Sequence, residues 1–280
     1  MTSAAAGASA KAVAWVDGRL VDPHEPVLSV MDHGLLVGDG VFESVRVVRG
    51  TPLALDRHLA RLVRSATALG LAPPDLDAVR RGIDAVLGAG LPDPARLRIT
   101  VTSGPGPLGS ARGDGAPELI VIGTGLKPPP ASANVAIVPW PRNERGALAG
   151  VKSTSYAENV VALAEANARG ADEAIFANTR GDLCEGTSSN VFLVLDDQLI
   201  TPPVSAGCLA GVTRELVIEL VGADEHDVPV DALRRAREAF LTSTTRGVQP
   251  IATVDGAPLP ACPGAHTRRA ADALDRYFGL

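Results

Sequence analysis

Lysine is nearly missing from this sequence. The 280-residue chain carries 26 basic side chains; three are lysines, Lys11, Lys127 and Lys152, and the other 23 are arginines. Cysteine is scarce too. Cys184, Cys208 and Cys262 show no CxxC or Cys/His spacing, which argues against a disulfide or zinc framework and suits a reducing, cytoplasmic setting. Aromatic residues make up only 3%, so an aromatic-lined substrate pocket is not evident. No apolar run approaches the roughly 20 residues that cross a bilayer. A formal charge of -6 argues against non-specific nucleic-acid binding, which needs a basic patch. The five histidines, His24, His33, His58, His226 and His266, fall in no ligand spacing, and no Ser/His/Asp set stands out. A metal- or triad-based hydrolase is therefore disfavoured, and His33 and His58 read as structural or as lying near a cofactor.

What is present suits a globular chain. Hydrophobic residues reach 46%, enough for one large domain or two modest ones. Residues 1–10 lack an apolar signal-peptide core and read as a loose tail. AVAWVDGRLV reads as a hairpin turning at Asp17-Gly18, and GDGVFESVRVVRGTPLAL as a strand pair turning at Arg49-Gly50. DRHLARLVRSATALGL places Leu59, Leu62, Val63, Ala66 and Leu69 at helical spacing, and DLDAVRRGIDAVLGAGL is a second amphipathic helix. TGLKPPPASA, residues 124–133, is the clearest linker. It separates an N-terminal domain (1–123) from a larger C-terminal one (134–280). Beyond it come a strand (NVAIVPW), a helix starting near Ser155, a run of strands and turns, a helix at GVTRELVIELVGA and a closing helix. Hairpins rather than regular βαβ alternation predict two α+β domains with a cleft between them.

Three requirements of a pyridoxal phosphate (PLP) site can be looked for in the residues. The first is a primary amine, which arginine cannot supply. Lys11 borders the tail and Lys127 opens an extended KPPP stretch, so covalent amine chemistry falls to Lys152. The plain alternative is a surface lysine before a helix. The second is phosphate capture. Ala210-Gly211-Val212-Thr213-Arg214 opens a helix, and Thr242-Ser243-Thr244-Thr245 forms a hydroxyl-rich turn. Ordinary N-capping and an ordinary polar turn are the alternatives. Arg61 could add a bidentate charge, or simply face solvent. The third is an acid beside the pyridine nitrogen, since a protonated ring is the better electron sink. Glu185, in DLCEGTSSNVF, is the candidate; an exposed hairpin glutamate is the alternative.

Six segments occur in a telling order: GDGVFES, HLARL, GVKSTSYAENVVALAEA, EGTSSNVF, GVTRELV and FLTSTTRGVQPI. From about Trp15 to Pro260 the chain resembles PLP-dependent fold type IV enzymes. These comprise the class IV aminotransferases, including the branched-chain and D-amino-acid enzymes, and 4-amino-4-deoxychorismate lyase. The resemblance implies a D-amino-acid aminotransferase-like two-domain fold with an interdomain active site, a homodimer and a small-molecule amino substrate, with neither nucleic acid nor membrane as partner. It makes Lys152 the Schiff-base lysine, Glu185 the partner of the pyridine nitrogen and Arg61 the phosphate-binding arginine. It puts Val212 and Thr213 at the phosphate through backbone amides, Ser243 and Thr244 there through hydroxyls, and Tyr156 near the phenolic oxygen.

The same core serves transamination and deoxychorismate cleavage, so departures must discriminate. D-amino-acid aminotransferases carry an arginine where Ser103 stands. Arg98 falls where branched-chain enzymes place a strand arginine, but their accompanying tyrosine is Arg96 here. Arg96, Arg98, Thr100 and Thr102 share one strand face; an exposed polar face is the alternative. The polar loop GPGPLGSARG carries Arg112, which together with Arg98 and Phe42 forms the candidate substrate set. This pattern leans toward the lyase, releasing pyruvate and 4-aminobenzoate within folate biosynthesis. A class IV aminotransferase is the main alternative, and a catalytically silent PLP-binding protein the minor one.

Overall fold

Two tight turns set the first sheet. Asp17 and Gly18 (φ 42° and 102°), and Arg49 and Gly50 (φ 51° and 73°), all lie at positive φ, the conformation whose twist matches a two-residue hairpin. The computed structural model describes residues 11–280, and the expected loose tail at residues 1–10 lies outside them. Among the described residues the chain divides into two compact units. One runs up to Lys127 and takes in Lys152–Ser155; the other comprises Pro128–Val151 and Tyr156–Leu280. The cut after Lys127 falls inside the expected linker. The return of Lys152–Ser155 to the first unit departs from a simple two-part division, and strand pairing explains it below.

The first unit contains β1 (Ala12–Val16), β2 (Arg19–Val21), α1 (His33–Leu36), β3 (Gly40–Val48), β4 (Thr51–Pro52), α2 (Leu55–Ala68), α3 (Leu76–Gly88), β5 (Ala95–Thr102) and β6 (Leu119–Gly125). Its six strands pair antiparallel in the order β2-β1-β6-β5-β3-β4. Helix α2 buries Leu59, Leu62 and Ala66 and packs on β3. Helix α3 packs on β6 and β1, burying Val79, Ile83 and Val86. Asp75 caps α3, its carboxylate accepting from the amides of Asp77 (2.9 Å) and Ala78 (3.1 Å), an arrangement typically contributing about 1 kcal/mol.

The second unit contains β7 (Ala133–Ile137), α4 (Ala157–Ala168), β8 (Glu173–Ala177), β9 (Leu183–Gly186), β10 (Asn190–Leu195), β11 (Gln198–Thr201), α5 (Val212–Val221), β12 (Asp224–Glu225), α6 (Ala232–Arg235), β13 (Glu238–Ser243), β14 (Gly247–Val254), β15 (Ala257–Pro258) and α7 (Ala265–Phe278). Its sheet runs β12-β11-β10-β13-β14-β7-β8-β9, with β15 added to β14. Alternation along a strand sends neighbours to opposite faces. Val191 and Leu193 join Ile175, Leu241, Ile251 and Leu233 of α6 in one core. Phe192 and Val194 join Phe240, Val217 of α5 and Ala270 of α7 in another, where the Phe192 and Phe240 rings stack at 4.8 Å. A third cluster seats Ala162 and Ala166 of α4 against Ala136, Phe176, Cys184 and Cys208. Among the described residues no helix is long and apolar enough to cross a membrane, and no group of His, Cys, Asp or Glu could hold a metal ion.

Candidate active site

Lys152 is placed by strand pairing over more than a hundred residues of sequence. The Phe42 amide donates to the Lys152 carbonyl (2.9 Å), the Thr154 amide donates to the Gly40 carbonyl (2.8 Å), and Val41 bridges to Ser153. The segment thus lies along the start of β3. Gly38 lets it come so close: it sits at φ +70°, and a Cβ there would stand 2.6 Å from Ser155 Oγ. The Lys152 amide also donates to Ser65 Oγ on α2 (3.3 Å). Its side chain carries Nζ to 4.4 Å from the centroid of the buried Phe42 ring, and the Arg98 guanidinium lies 3.8 Å from the same centroid. Two cations on one aromatic ring each gain roughly 0.5–1 kcal/mol or more when desolvated.

Arg61 lies one turn before Ser65 on α2 and is buried, not solvated. It donates Nε to Glu43 Oε1 (2.7 Å) and Nη2 to Glu43 Oε2 (2.8 Å), while His58 Nδ1 lies 2.7 Å from the same carboxylate. Burial would push the Glu43 carboxyl up, but Arg61 and His58 outweigh it and hold it down at about 2. The fork–fork pair fixes the guanidinium plane. Arg112 likewise has a local task. It forks onto Asp39 (2.7 and 2.6 Å) and donates to the carbonyls of Gly70 and Leu69 (2.8 Å each), pinning the 104–115 loop beside β3. Arg98 Nε meets Thr100 Oγ1 at 3.3 Å. His33 is structural: its Nε2 lies 2.7 Å from the Pro107 carbonyl.

In the second unit Glu185 stands on β9 opposite Phe176. Its Oε2 accepts from the Leu209 amide (2.9 Å), and its Oε1 lies 3.4 Å from Arg142 Nε. Asn190 knits this acid to the two phosphate candidates. Its Nδ2 donates to the Leu209 carbonyl (2.8 Å), its backbone pairs with Thr242, and its Oδ1 would stand 1.9 Å from a Cβ at Gly211. Gly211 immediately precedes α5, whose first residues, Val212 and Thr213, are buried. Thr242 Oγ1 is buried without a hydrogen-bond partner among the described residues, next to Ser243. Tyr156 donates to the Thr187 carbonyl (3.2 Å), and burial first, then the Glu185 charge, raise its phenol above the usual range. Glu185, Tyr156, Val212–Thr213 and the end of β13 at Thr242–Ser243 are therefore linked through a few named bonds; Thr242 and Ser243 lie in the strand rather than in the expected turn, which begins at Thr244.

Arg142, Asn190, Glu173 and Arg246 also stand around these candidates, and no motif in the sequence singles them out. Arg142 lies over the Phe176 ring (4.1 Å), bonds Glu158 and Asn159, and sits beside Glu185. A lone arginine in a Pro-rich turn gave no signal of this. Glu173 did carry one: a charge heading an otherwise apolar strand, DEAIF.

Comparison with known proteins decides the family. The model of the amino-transferase class IV family matches residues 40–254. This chain belongs to the class IV aminotransferases. It is 35% identical over 258 residues, 86% of this chain and 88% of the other, to a Methanocaldococcus jannaschii protein named provisionally as a branched-chain-amino-acid aminotransferase. It is 31% identical over 282 residues (90% and 94% covered) to the bifunctional aminodeoxychorismate lyase / D-amino acid transaminase of Mycobacterium tuberculosis. Among solved structures, the PLP-bound form of a hypothetical aminotransferase from Mycobacterium tuberculosis superposes with a TM-score of 0.83 at 27% identity, covering 95% of this chain and 99% of that one. The mixed helix-and-sheet architecture is thus that of the fold type IV aminotransferases, as the sequence motifs implied.

Proposed function

We propose that this class IV enzyme holds PLP on Lys152 and transfers amino groups between small amino compounds and keto acids. The residues suit the cofactor. The second unit offers a fixed carboxylate at Glu185, a helix start cleared of side chain by Gly211, and a buried hydroxyl, Thr242, with unused capacity. Each matches one end of a pyridine ring bearing a phosphate. PLP, when bound, supplies an electron sink for the bond broken at the amine-bearing carbon. Lys152 would hold the cofactor through its primary amine and could move the proton at the substrate α-carbon. Glu185 holds a proton at the pyridine nitrogen. Arg61, with its plane fixed by Glu43, and the amides of Val212 and Thr213, with the hydroxyls of Ser243 and Thr244, bind the phosphate. Tyr156 orients the phenolic oxygen.

The observation that carries transamination over cleavage is Arg112. The lean toward the lyase drew on Arg112 as a substrate-facing cation, and Arg112 already makes four hydrogen bonds to Asp39, Leu69 and Gly70. The lyase stands as second reading because a relative 31% identical is named for both activities. Conversion of bound PLP to its pyridoxamine form by L-leucine, D-alanine or an aryl amine, reversed by a keto acid, supports transamination. Pyruvate and 4-aminobenzoate released from aminodeoxychorismate without a keto acid would replace it with the lyase. We also read the protein as cytoplasmic and homodimeric. Val30, Leu35, Val37 and Leu108 are exposed apolar side chains of the first unit, which a second copy would cover; light scattering on the purified protein tests the oligomeric state.

A further inference from the structure

Glu173 is a fully buried carboxylate that the proposed chemistry does not use. It heads β8, and it gathers donors from two separate turns. From the turn after Glu185, its Oε1 accepts from Thr187 Oγ1 (2.9 Å), the Ser188 amide (2.8 Å) and Ser189 Oγ (3.1 Å), with Ser188 Oγ at 3.3 Å from both oxygens. From the turn after β13, Arg246 Nη2 reaches its Oε2 at 2.5 Å and also Ser188 Oγ at 3.0 Å. The Arg246 amide in turn donates to Ser243 Oγ (3.3 Å). The fit admits no side chain at Gly186, where a Cβ would stand 2.7 Å from Glu173 Oε1 and 2.5 Å from Ser189 Oγ.

A buried charge persists only where paired and hydrogen-bonded, and here every named partner sits within four residues of Glu185 or of Ser243 and Thr244. We infer that Glu173 and Arg246 are positioning residues for the cofactor: their ion pair clamps the 186–189 turn to the 243–246 turn, holding the acid for the pyridine end in register with the hydroxyls for the phosphate end. This rests on the PLP reading above. The clamp touches neither substrate nor the reacting atoms; it acts through Glu185, Ser243 and Thr244.

The test is PLP titration of apoprotein, followed by tryptophan quenching and by visible circular dichroism per mole of bound cofactor. Glu173→Gln keeps the shape and removes the charge; Arg246→Gln works from the half-exposed end and is the safer variant for folding. Each is expected to weaken PLP binding tenfold or more and to reduce the visible dichroism of what does bind. The double variant is expected to be little worse than either single one, as for two halves of one device. Wild-type PLP affinity and dichroism in Arg246→Gln, with only the melting temperature lowered, would reduce the pair to a structural brace and overturn the inference. Losses that simply add in the double variant would also overturn it, by showing two independent effects. If the wild-type apoprotein takes up no PLP and Lys152→Ala changes nothing, the proposed function fails and takes the clamp's role with it.

Discussion

The ammonium group of Lys152 stands 4.4 Å from the centre of the Phe42 ring, and the Arg98 guanidinium stands 3.8 Å from the same centre. Phe42 is thus a shared platform for the proposed cofactor lysine and a candidate substrate-facing arginine. Phe42→Leu keeps apolar bulk, at a cost of about 1 kcal/mol in stability, and removes the π face. With roughly 0.5–1 kcal/mol of cation–π attraction lost at each of the two contacts, kcat/KM is expected to fall about five- to thirtyfold. A variant with unchanged kcat/KM would leave Phe42 as packing alone.

Acid should loosen the first unit through Glu43. Burial favours its neutral form, but Arg61 and His58 bring the carboxyl down to about 2 from an ordinary 4.5. A depressed carboxyl contributes stability that is fully present above the ordinary value and is lost as pH falls toward 2. Glu43→Gln is therefore expected to melt well below wild type at pH 7, since it strands a buried arginine, and to lose less than wild type between pH 5 and pH 3. Melting temperatures over that range decide it. Parallel curves for the two proteins would remove Glu43 as the acid-sensitive group.

Glu118 should act in the opposite sense. A hydrogen bond with Asp17, then burial, then the charges of Asp17 and Asp32, raise its carboxyl to about 7. The folded state thus favours its proton. The associated stability is fully present below the ordinary 4.5 and is lost as pH rises through 7. Glu118→Gln is expected to flatten the decline in melting temperature between pH 5 and pH 8. An unaltered slope would mean that Asp17 and Glu118 do not share a proton. The effect should be modest, because partly exposed carboxylates are screened by solvent.

The legible parts of this molecule were those governed by local rules. Asp17-Gly18 and Arg49-Gly50 announced their turns because few residues tolerate positive φ there, and the α2 stripe of Leu59, Leu62 and Ala66 followed from helical spacing. Short elements escaped: α1 (His33–Leu36) and α6 (Ala232–Arg235) are single turns, too brief for any periodicity. Candidate site residues were named from chemistry and motif order, whereas their partners were not. Lys152 pairs with Phe42, Glu185 with Leu209, and Glu173 with Arg246 over 24 residues or more. Such pairings are products of sheet topology, which a single sequence does not display. Arg61 illustrates the cost: its charge suggested a solvated or phosphate-facing residue, and nothing local revealed that Glu43 holds it.

The cysteines give a chemical test of the packing. Burial, and then the nearby Glu185 charge, push the Cys184 and Cys208 thiols up, Cys208 to about 12, while Cys262 is exposed. Thiolate, not thiol, is the reactive form. Native protein at pH 8 is expected to release one equivalent of thionitrobenzoate from a disulfide reagent, and three after denaturation. Rapid release of more than one would show that the third core cluster opens in the native state.

Gly211 offers the sharpest structural handle on the phosphate end. A methyl group there would be driven to 1.9 Å from Asn190 Oδ1, and Asn190 is already committed to the Leu209 carbonyl and to pairing with Thr242. Something has to move, and the nearest neighbours are Asn190 itself and Arg214 in the first turn of α5. Gly211→Ala is expected to cost roughly 1–3 kcal/mol in stability, as overpacking does, and to weaken PLP binding more than tenfold. Pyridoxal, which lacks the phosphate, should lose much less. That contrast separates a damaged phosphate cradle from general loosening. Equal losses for PLP and pyridoxal would mean that the α5 start does not hold the phosphate.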